Sequence, residues 1–329
     1  MKPSGHEKVL EIIKSTRDMP EAEAVLALVD CAKKGFPLAA EKAVKTMAGL
    51  GYNSTTPALV GLYEWLDADP RKRDNGCDVR ISIAEAFVEN PSPLAVGIMR
   101  KAVCTVHVVR VGLGPEDVAI PLRAAAVLAL AAVDPDCLYQ LAMLLFDKAP
   151  DVPTSDPAYA KAAVRKAAAK ALSVLGDPGG LPLLAVKLNF PAGEVPDVLA
   201  ECLEAFIFMR PAYLMEVVQP YLEGDDDFLC AITALSLAET FGPKMLPLLQ
   251  STLDRVQSEA KEAITVAISA TRCDAARQLL LELLESNNPF LRRGAVKGLK
   301  TYLDDEIMAR LDKIQATDPD KYIRLEAEY

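Results

Sequence analysis

The chain holds only two histidines, His6 and His107, and one of them follows a cysteine by three residues. Cys104 and His107 at that spacing would share a face of a helix. They are the nearest approach to a metal pair, yet a structural zinc site needs four protein ligands and a catalytic one three. The acidic run Glu223-Gly224-Asp225-Asp226-Asp227 lacks the alternating ligand spacing of a calcium loop and reads as a solvated turn in which Asp227 caps the next helix. The sequence contains no glycine-rich phosphate loop, no Gly-x-Ser-x-Gly elbow and no carboxylate pair spaced for acid–base work. No catalytic residue, cofactor or metal is therefore expected, and the chemistry to look for is recognition.

The elements that would position recognition residues follow from composition and period. Of 329 residues, 51% are apolar but only 6% aromatic, because Ala, Leu and Val carry the apolar share; that profile favours packed helices. Seven cysteines form no CxxC pair, so buried reduced thiols are expected rather than a disulfide framework. The longest apolar run, Ala124 to Val133, is about half of the roughly 20 residues a membrane span requires. The opening MKPSGHEKVLEII has charges inside its first hydrophobic stretch and makes a poor secretory signal, so a cytoplasmic location with no membrane partner is expected. A net charge of −10 disfavours nucleic acid as a partner, since that binding draws on Lys and Arg meeting phosphates.

Aligning the chain on Val164 as position 0 reveals a repeat. Matching starts fall at Ala39, Val79, Leu122, Val164, Val198, Leu229, Ala260 and Leu291. Position +8 is large and apolar in every copy (Met47, Phe87, Leu130, Leu172, Phe206, Leu237, Ile268, Leu299), and +7 is small in every copy (Thr46, Ala86, Ala129, Ala171, Ala205, Ser236, Ala267, Gly298). With apolar residues at +0, +4 and +5 this is one stripe of a 3.6-residue helix, and the small residue beside it admits a close neighbour. A second helix begins near +17, where Leu-Pro-Leu-Leu occurs as Leu181–Leu184 and Leu246–Leu249, proline being tolerated in a helix's first turn.

The Leu-Pro-Leu-Leu segments, the Asp-Pro turns and the Val/Leu-Arg starts (Val79-Arg80, Leu122-Arg123, Val164-Arg165, Leu291-Arg292) resemble the HEAT-repeat family, in particular the short Ala-rich repeats also found in phycobilin lyase subunits. The resemblance covers nearly the whole chain. It implies an all-α, right-handed α-solenoid of about nine antiparallel helix pairs plus an unpaired C-terminal helix, an armadillo-type fold. The expected organisation is a capping pair over residues 1–38, long-period repeats over 39–163 and short-period repeats over 164–329. The +1 arginines would pair with the acids at +25 (Glu64, Asp147, Glu223, Asp254, Glu285), much as in the Asp–Arg ladder of HEAT proteins. Among other HEAT-type proteins, deoxyhypusine hydroxylase uses several His-Glu pairs to hold iron, and only His6-Glu7 occurs here. HEAT-like DNA glycosylases need a basic face, and the lone Trp65 reads as packing at the end of a helix.

Two departures from the repeat mark candidate binding surfaces. Starts lie 31 residues apart in the C-terminal half but 40, 43 and 42 apart from Ala39 to Val164, so one connection is lengthened three times, at 66–78, 105–121 and 147–160. Equivalent connections leave a solenoid from one edge, which makes Arg71, Arg73, His107 and Arg110 candidate partner contacts. Positions +2, +6 and +9 should face outward along the concave wall, yet they are Ala124, Leu128 and Ala131 in one repeat, Ala200, Glu204 and Ile207 in another, and Ala231, Leu235 and Ala238 in a third. A helix that is apolar all round is normally covered. Leu128, Ile207 and Leu235 are therefore expected to contact a protein or peptide partner, with self-association through the same wall as an alternative. The resemblance offers a second reading, an accessory subunit of a lyase-type enzyme similar to the phycobilin lyases.

Overall fold

The computed structural model describes residues 5–34, 36–51, 53–112, 114–146 and 157–328. It divides into two compact units, residues 1–180 and 181–329. The first unit runs α1 (Gly5–Ser15), α2 (Glu21–Lys34), α3 (Pro37–Leu50), α4 (Thr55–Ala68), α5 (Pro70–Arg73), α6 (Asp78–Glu89), α7 (Val96–Ala102), β1 (Val108–Val111), β2 (Gly114–Asp117), α8 (Ile120–Val133), α9 (Leu138–Phe146) and α10 (Pro157–Leu175). The second runs α11 (Gly180–Asn189), α12 (Pro196–Phe208), α13 (Leu214–Leu222), α14 (Asp227–Phe241), α15 (Leu246–Leu253), α16 (Ser258–Ala270), α17 (Asp274–Leu283), α18 (Pro289–Leu299), α19 (Asp305–Thr317) and α20 (Lys321–Glu326).

The fold is an all-α helical-repeat solenoid, and each expected repeat start lies in the first helix of a pair. Among the described residues, chain order gives nine pairs and a lone last helix, with the four-residue α5 added in the first insertion. Within the first unit α3, α6, α8 and α10 pack side by side in that order, and within the second α12, α14, α16, α18 and α20 do the same. Their +5 residues (Val44, Ala84, Val127, Ala169, Leu203, Ala234, Thr265, Val296) are all buried, as are the +8 residues. All seven cysteines are free thiols.

First helices end by a rule that the turn residues only hinted at. Position +12 adopts a left-handed backbone at Gly51 (φ 66), Gly176 (φ 67), Arg210 (φ 52) and Arg272 (φ 52), the conformation that satisfies a helix's last carbonyls and reverses the chain. Some second helices start on proline, as α15 does, or on an Asx cap, as α19 does, where Asp304 accepts from the Ile307 amide at 2.8 Å. The helix after the acidic run is capped by Asp226, which accepts from the Leu229 amide at 3.0 Å, and not by Asp227 as expected.

The +1 arginines are structural, but their partners differ from the expected ladder. Three of them return six residues back, to position −5: Arg80 to Asp74, Arg123 to Asp117 and Arg292 to the Ser286 carbonyl, Arg292 also pairing through Nε and Nη2 with Asp318. Arg324 likewise reaches the Asp318 carbonyl at the last restart of the pattern. The +25 acids instead make surface pairs, Glu223 with Arg255 at 2.5 Å and Glu285 with Arg310 at 3.7 Å. Geometry explains the correction. The +1 side chain leans back over its own connection, so the residue that shapes that connection is nearer than the end of the preceding helix.

The insertions differ in kind. The first contains α5. The second is a β-hairpin, with Val108 opposite Asp117 and Arg110 opposite Pro115, so an antiparallel strand pair interrupts the helices there. Residues 147–156 of the third lie outside the described residues, and 157–160 form the opening turn of α10.

Small residues set the approach of the first helices, most sharply between α16 and α18. A Cβ at Gly294 would stand 2.7 Å from the Glu262 carbonyl oxygen and 2.7 Å from Thr265 Cβ. Helix propensity alone favours alanine there by about 1 kcal/mol. Backbone cannot yield as a side chain does, so Gly294→Ala should instead lower stability by about 1–3 kcal/mol through overpacking. Ala171→Leu, at the fully buried +7 position of α10, should cost a similar amount, about 1–3 kcal/mol. Urea unfolding of both variants measures this; an unchanged midpoint at Ala171→Leu would contradict the register.

Candidate functional site

The outward face of the first helices is narrower than expected. Position +9 stands one turn beyond +5, so it shares the flank that each helix turns toward its neighbour. Ile207 is accordingly 0% exposed, and Ala238 and Ala131 are buried as well. Ile207 is core and is withdrawn as a contact residue. What remains outward is +6, joined in places by +2 and +3.

In the second unit these positions build an open groove of about 480 Å³ across α14, α16 and α18. Leu235 and Val266 at +6, Ile232 and Ala263 at +3, and Ala231 at +2 form its apolar floor, while Glu259, Glu262, Arg293 and Lys297 supply charge. Leu235 and Val266 are half-buried, with part of each side chain left to solvent in the groove. Glu262 is the fixed point. Its Oε2 accepts from Arg293 Nε at 2.6 Å, and its Oε1 lies 3.0 Å from Lys297 Nζ. Burial pushes the Glu262 carboxyl upward, but the hydrogen bonds and charges of Arg293 and Lys297 outweigh this and hold it below the ordinary carboxylate value. Lys297 also lies 3.8 Å from Glu326, which Lys300 approaches at 3.6 Å.

In the first unit the corresponding row lies on α3, α6 and α8. Lys45, Ala48, Ser82, Glu85, Ala86, Val88, Glu89 and Leu128 line a groove of about 470 Å³. Leu128 is half-buried there, the single large aliphatic side chain at +6 in that row, and Lys45 lies 3.9 Å from Glu85.

The insertions meet over a buried polar cluster. Arg80 is fully buried. Its Nε donates to Asp74 Oδ2 at 3.0 Å, its Nη1 to Asp67 Oδ1 at 3.1 Å and its Nη2 to Cys77 Sγ at 3.1 Å. From the hairpin side, Asp117 accepts from the His107 amide at 2.9 Å and from Arg123 Nη1 at 2.7 Å, and Arg123 also donates to the Thr105 carbonyl. Burial above all pushes the Cys77 thiol up to about 12, which makes it an inert structural thiol. The His107 imidazole is buried and its Nε2 has no hydrogen-bond partner. His107 is thus packed under the hairpin rather than presented to a partner, a correction to its candidate role.

The remaining candidates separate cleanly. Arg73 is engaged: Nη1 donates to the Trp65 carbonyl at 2.5 Å and the guanidinium lies 4.4 Å from the centre of the Trp65 ring. Lys33 approaches the same ring at 5.2 Å, so Trp65 is a packed residue braced by two cations. Arg71 on α5 and Arg110 on β1 are exposed. The helix faces and the hairpin therefore bring Leu128 and Leu235 to grooves and Arg71 and Arg110 to the surface, while Ile207, His107 and Arg73 are occupied internally.

Sequence reasoning missed Ile232, Val266 and Glu262. Val266 stands at +6 of its own repeat, so the rule that selected Leu235 would have found it. Glu262 at +2 reads as solvated and becomes buried because two cations of the next repeat close over it. Among the described residues no group of three or more His, Cys, Asp or Glu could hold a metal ion, and no helix is long and apolar enough to cross a membrane.

No protein-family model matches the chain, and no curated protein matches it. Solved structures resemble it over nearly its whole length. The crystal structure of Kap121p bound to Nup53p aligns with a TM-score of 0.46 at 12% identity, covering 99% of this chain and 41% of that one. The karyopherin Kap121p bound to the SUMO protease Ulp1p aligns at 0.47 and 13% with the same coverage. Kap121p bound to Ste12p aligns at 0.47 and 12%. The chain spans about 41% of the length of these proteins.

His107 carries a pH prediction. Burial chiefly, with the nearby Arg80 and Arg71 charges, lowers its pKa from the ordinary 6.5. The unfolded chain then takes up the proton first, so stability is full above 6.5 and falls as pH drops through that value. The lowered carboxylates Glu262 and Asp318 lose stability only in the more acid range below 4.5 and 3.8 respectively. Thermal unfolding just below 6.5 should therefore show a fall in midpoint that His107→Gln flattens; an identical slope in both proteins would remove His107 as its source.

Proposed function

We propose that the chain is a non-enzymatic interaction scaffold that binds a protein or peptide partner along the outward face of its first helices. The second-unit groove is the principal contact. One observation carries this: the +6 positions of α14 and α16, which packing leaves unused, hold Leu235 and Val266 over an open groove instead of the polar side chains that solvent favours. Leu128 provides a comparable contact on the first unit. Arg71 and Arg110, held out by α5 and the hairpin, supply charged contacts that add selectivity more than affinity. Free thiols fit a reducing, cytoplasmic setting.

Leu235→Glu tests this without touching the core. Because Leu235 is only half-buried, the substitution should lower stability by about 1 kcal/mol. Captures from native cytosol with wild type, Leu235→Glu and the exposed control Lys244→Glu should show a protein retained by wild type and control but lost from Leu235→Glu. Equal retention by all three would move binding away from the groove, and a loss of several kcal/mol in Leu235→Glu would make Leu235 a core residue.

A further inference from the structure

We propose that a further groove, in the N-terminal part of the first unit, binds an acidic peptide segment of a partner protein. It lies between the short turn Thr16–Asp18 and α3 and measures about 480 Å³. Lys45 stands on the ridge between it and the groove under Leu128. The second-unit groove plays no part in it.

Charge names the occupant. Among the described residues the lining holds three cations, Arg17, Lys42 and Lys45, against one carboxylate, Glu41. Glu85, outside the groove, meets Lys45 at 3.9 Å, and a positive charge is still left over when it is counted. Arg17 and Lys42 are exposed and make no ion pair among the described residues. The whole chain carries −10, so this local excess runs against the net charge. A concavity lined by one sign of charge concentrates ligands of the other sign.

The rest of the lining decides between anions. Leu38, 74% exposed, and Leu50 add apolar surface that suits the side chains of a peptide. Among the described residues no aromatic side chain lines the groove, so nucleic-acid bases find no stacking platform. Leu38, Lys42, Lys45 and Gly49 follow one face of α3. The helix rises about 16 Å from Leu38 to Gly49, a length that an extended chain of roughly five residues covers.

Gly49 is a second mark of a ligand. Glycine weakens a helix, its backbone here is not left-handed, and a Cβ at that place would meet nothing within 4 Å. Neither turn geometry nor packing calls for glycine. It leaves bare helix backbone in the groove lining, where a second chain can approach closely.

The test is fluorescence anisotropy with the full chain and a fluorescein-labelled Glu-Leu-Glu-Leu-Glu peptide, compared with its Gln-Leu-Gln-Leu-Gln counterpart. Wild type should bind the acidic probe more tightly by about tenfold or more, and the advantage should shrink as salt screens the charges. Arg17→Glu/Lys42→Glu should abolish that advantage, and the exposed control Lys244→Glu should keep it. Gly49→Gln should raise the thermal midpoint, glutamine being the better helix former, yet weaken binding. A glycine with a purely structural role would not separate the two. A melting curve on each variant confirms folding. Equal affinity for the two peptides, or an acidic preference unchanged in Arg17→Glu/Lys42→Glu, would overturn the proposal. Equal binding of a single-stranded oligonucleotide would do the same, by making the groove a general anion surface. A preference lost in Leu235→Glu but kept in the Arg17/Lys42 variant would place acid recognition in the second unit, overturning this assignment and leaving the outward-face reading intact.

Discussion

Close approach between successive first helices is the constraint on which the rest depends. It is permitted by the small residue at +7 and is tightest where Gly294 and Gly298 face α16 and α17. Dispersion between packed atoms falls steeply with separation, so a stack with bulkier residues at these places would forfeit contact along the whole helix. Close approach also has a cost in freedom: it turns both flanks of every first helix inward. Positions +5 and +9 are consumed by neighbours, and only the narrow strip at +6, with parts of +2 and +3, is left to face outward. The packing rule thus decides which side chains are available for recognition.

A second constraint shapes the connections. Where +1 is arginine, at Arg80, Arg123, Arg292 and Arg324, its reach to residue −5 pins the loop to the helix it precedes. Where the connection is lengthened, the same device organises more chain: Asp74 and Arg80 bind the first insertion, Asp117 and Arg123 the hairpin. These ion pairs are buried, and a buried pair repays its desolvation only when its remaining donors and acceptors are also used. Arg80 meets that condition through Asp67, Asp74 and Cys77. Such clusters contribute one defined loop conformation more than net stability. That definition holds Arg71 and Arg110 outward, in contrast to the tolerated, mobile surface that long insertions usually form.

Period was legible in the residues because it is written redundantly. The pattern at +0, +4, +5, +7 and +8 recurs eight times, and each start falls in a first helix. The hairpin was not legible, since Val108–Val111 is a short apolar run that could continue a helix as readily as form a strand, and its partner Gly114–Asp117 has no strand propensity. The arginine partners were misassigned because the expected ladder looked to the end of the preceding helix, whereas Asp74 and Asp117 stand only six residues before Arg80 and Arg123 and the lean of the side chain brings them together. Ile207 was misplaced for a subtler reason. A wheel drawn for an isolated helix puts +9 opposite the stripe, but a solenoid helix has two packed flanks, and +9 is one turn above the fully buried +5.

Read along the chain, the +6 residues are Lys45, Glu85, Leu128, Lys170, Glu204, Leu235, Val266 and Lys297. The neighbouring +5 and +7 series hold to apolar or small residues, because packing rejects anything else. At +6 no such filter operates, and cations, anions and large aliphatics alternate without period. Exposure alone would favour charge at every one of these sites, yet Leu128, Leu235 and Val266 stand among them. Two adjacent aliphatics, followed by a cation aimed by a buried carboxylate, turn an otherwise solvated row into a graded surface. Packing therefore separates two kinds of position within each repeat: one residue in the turn sets how the helices stack, and its neighbour is left outside the stack.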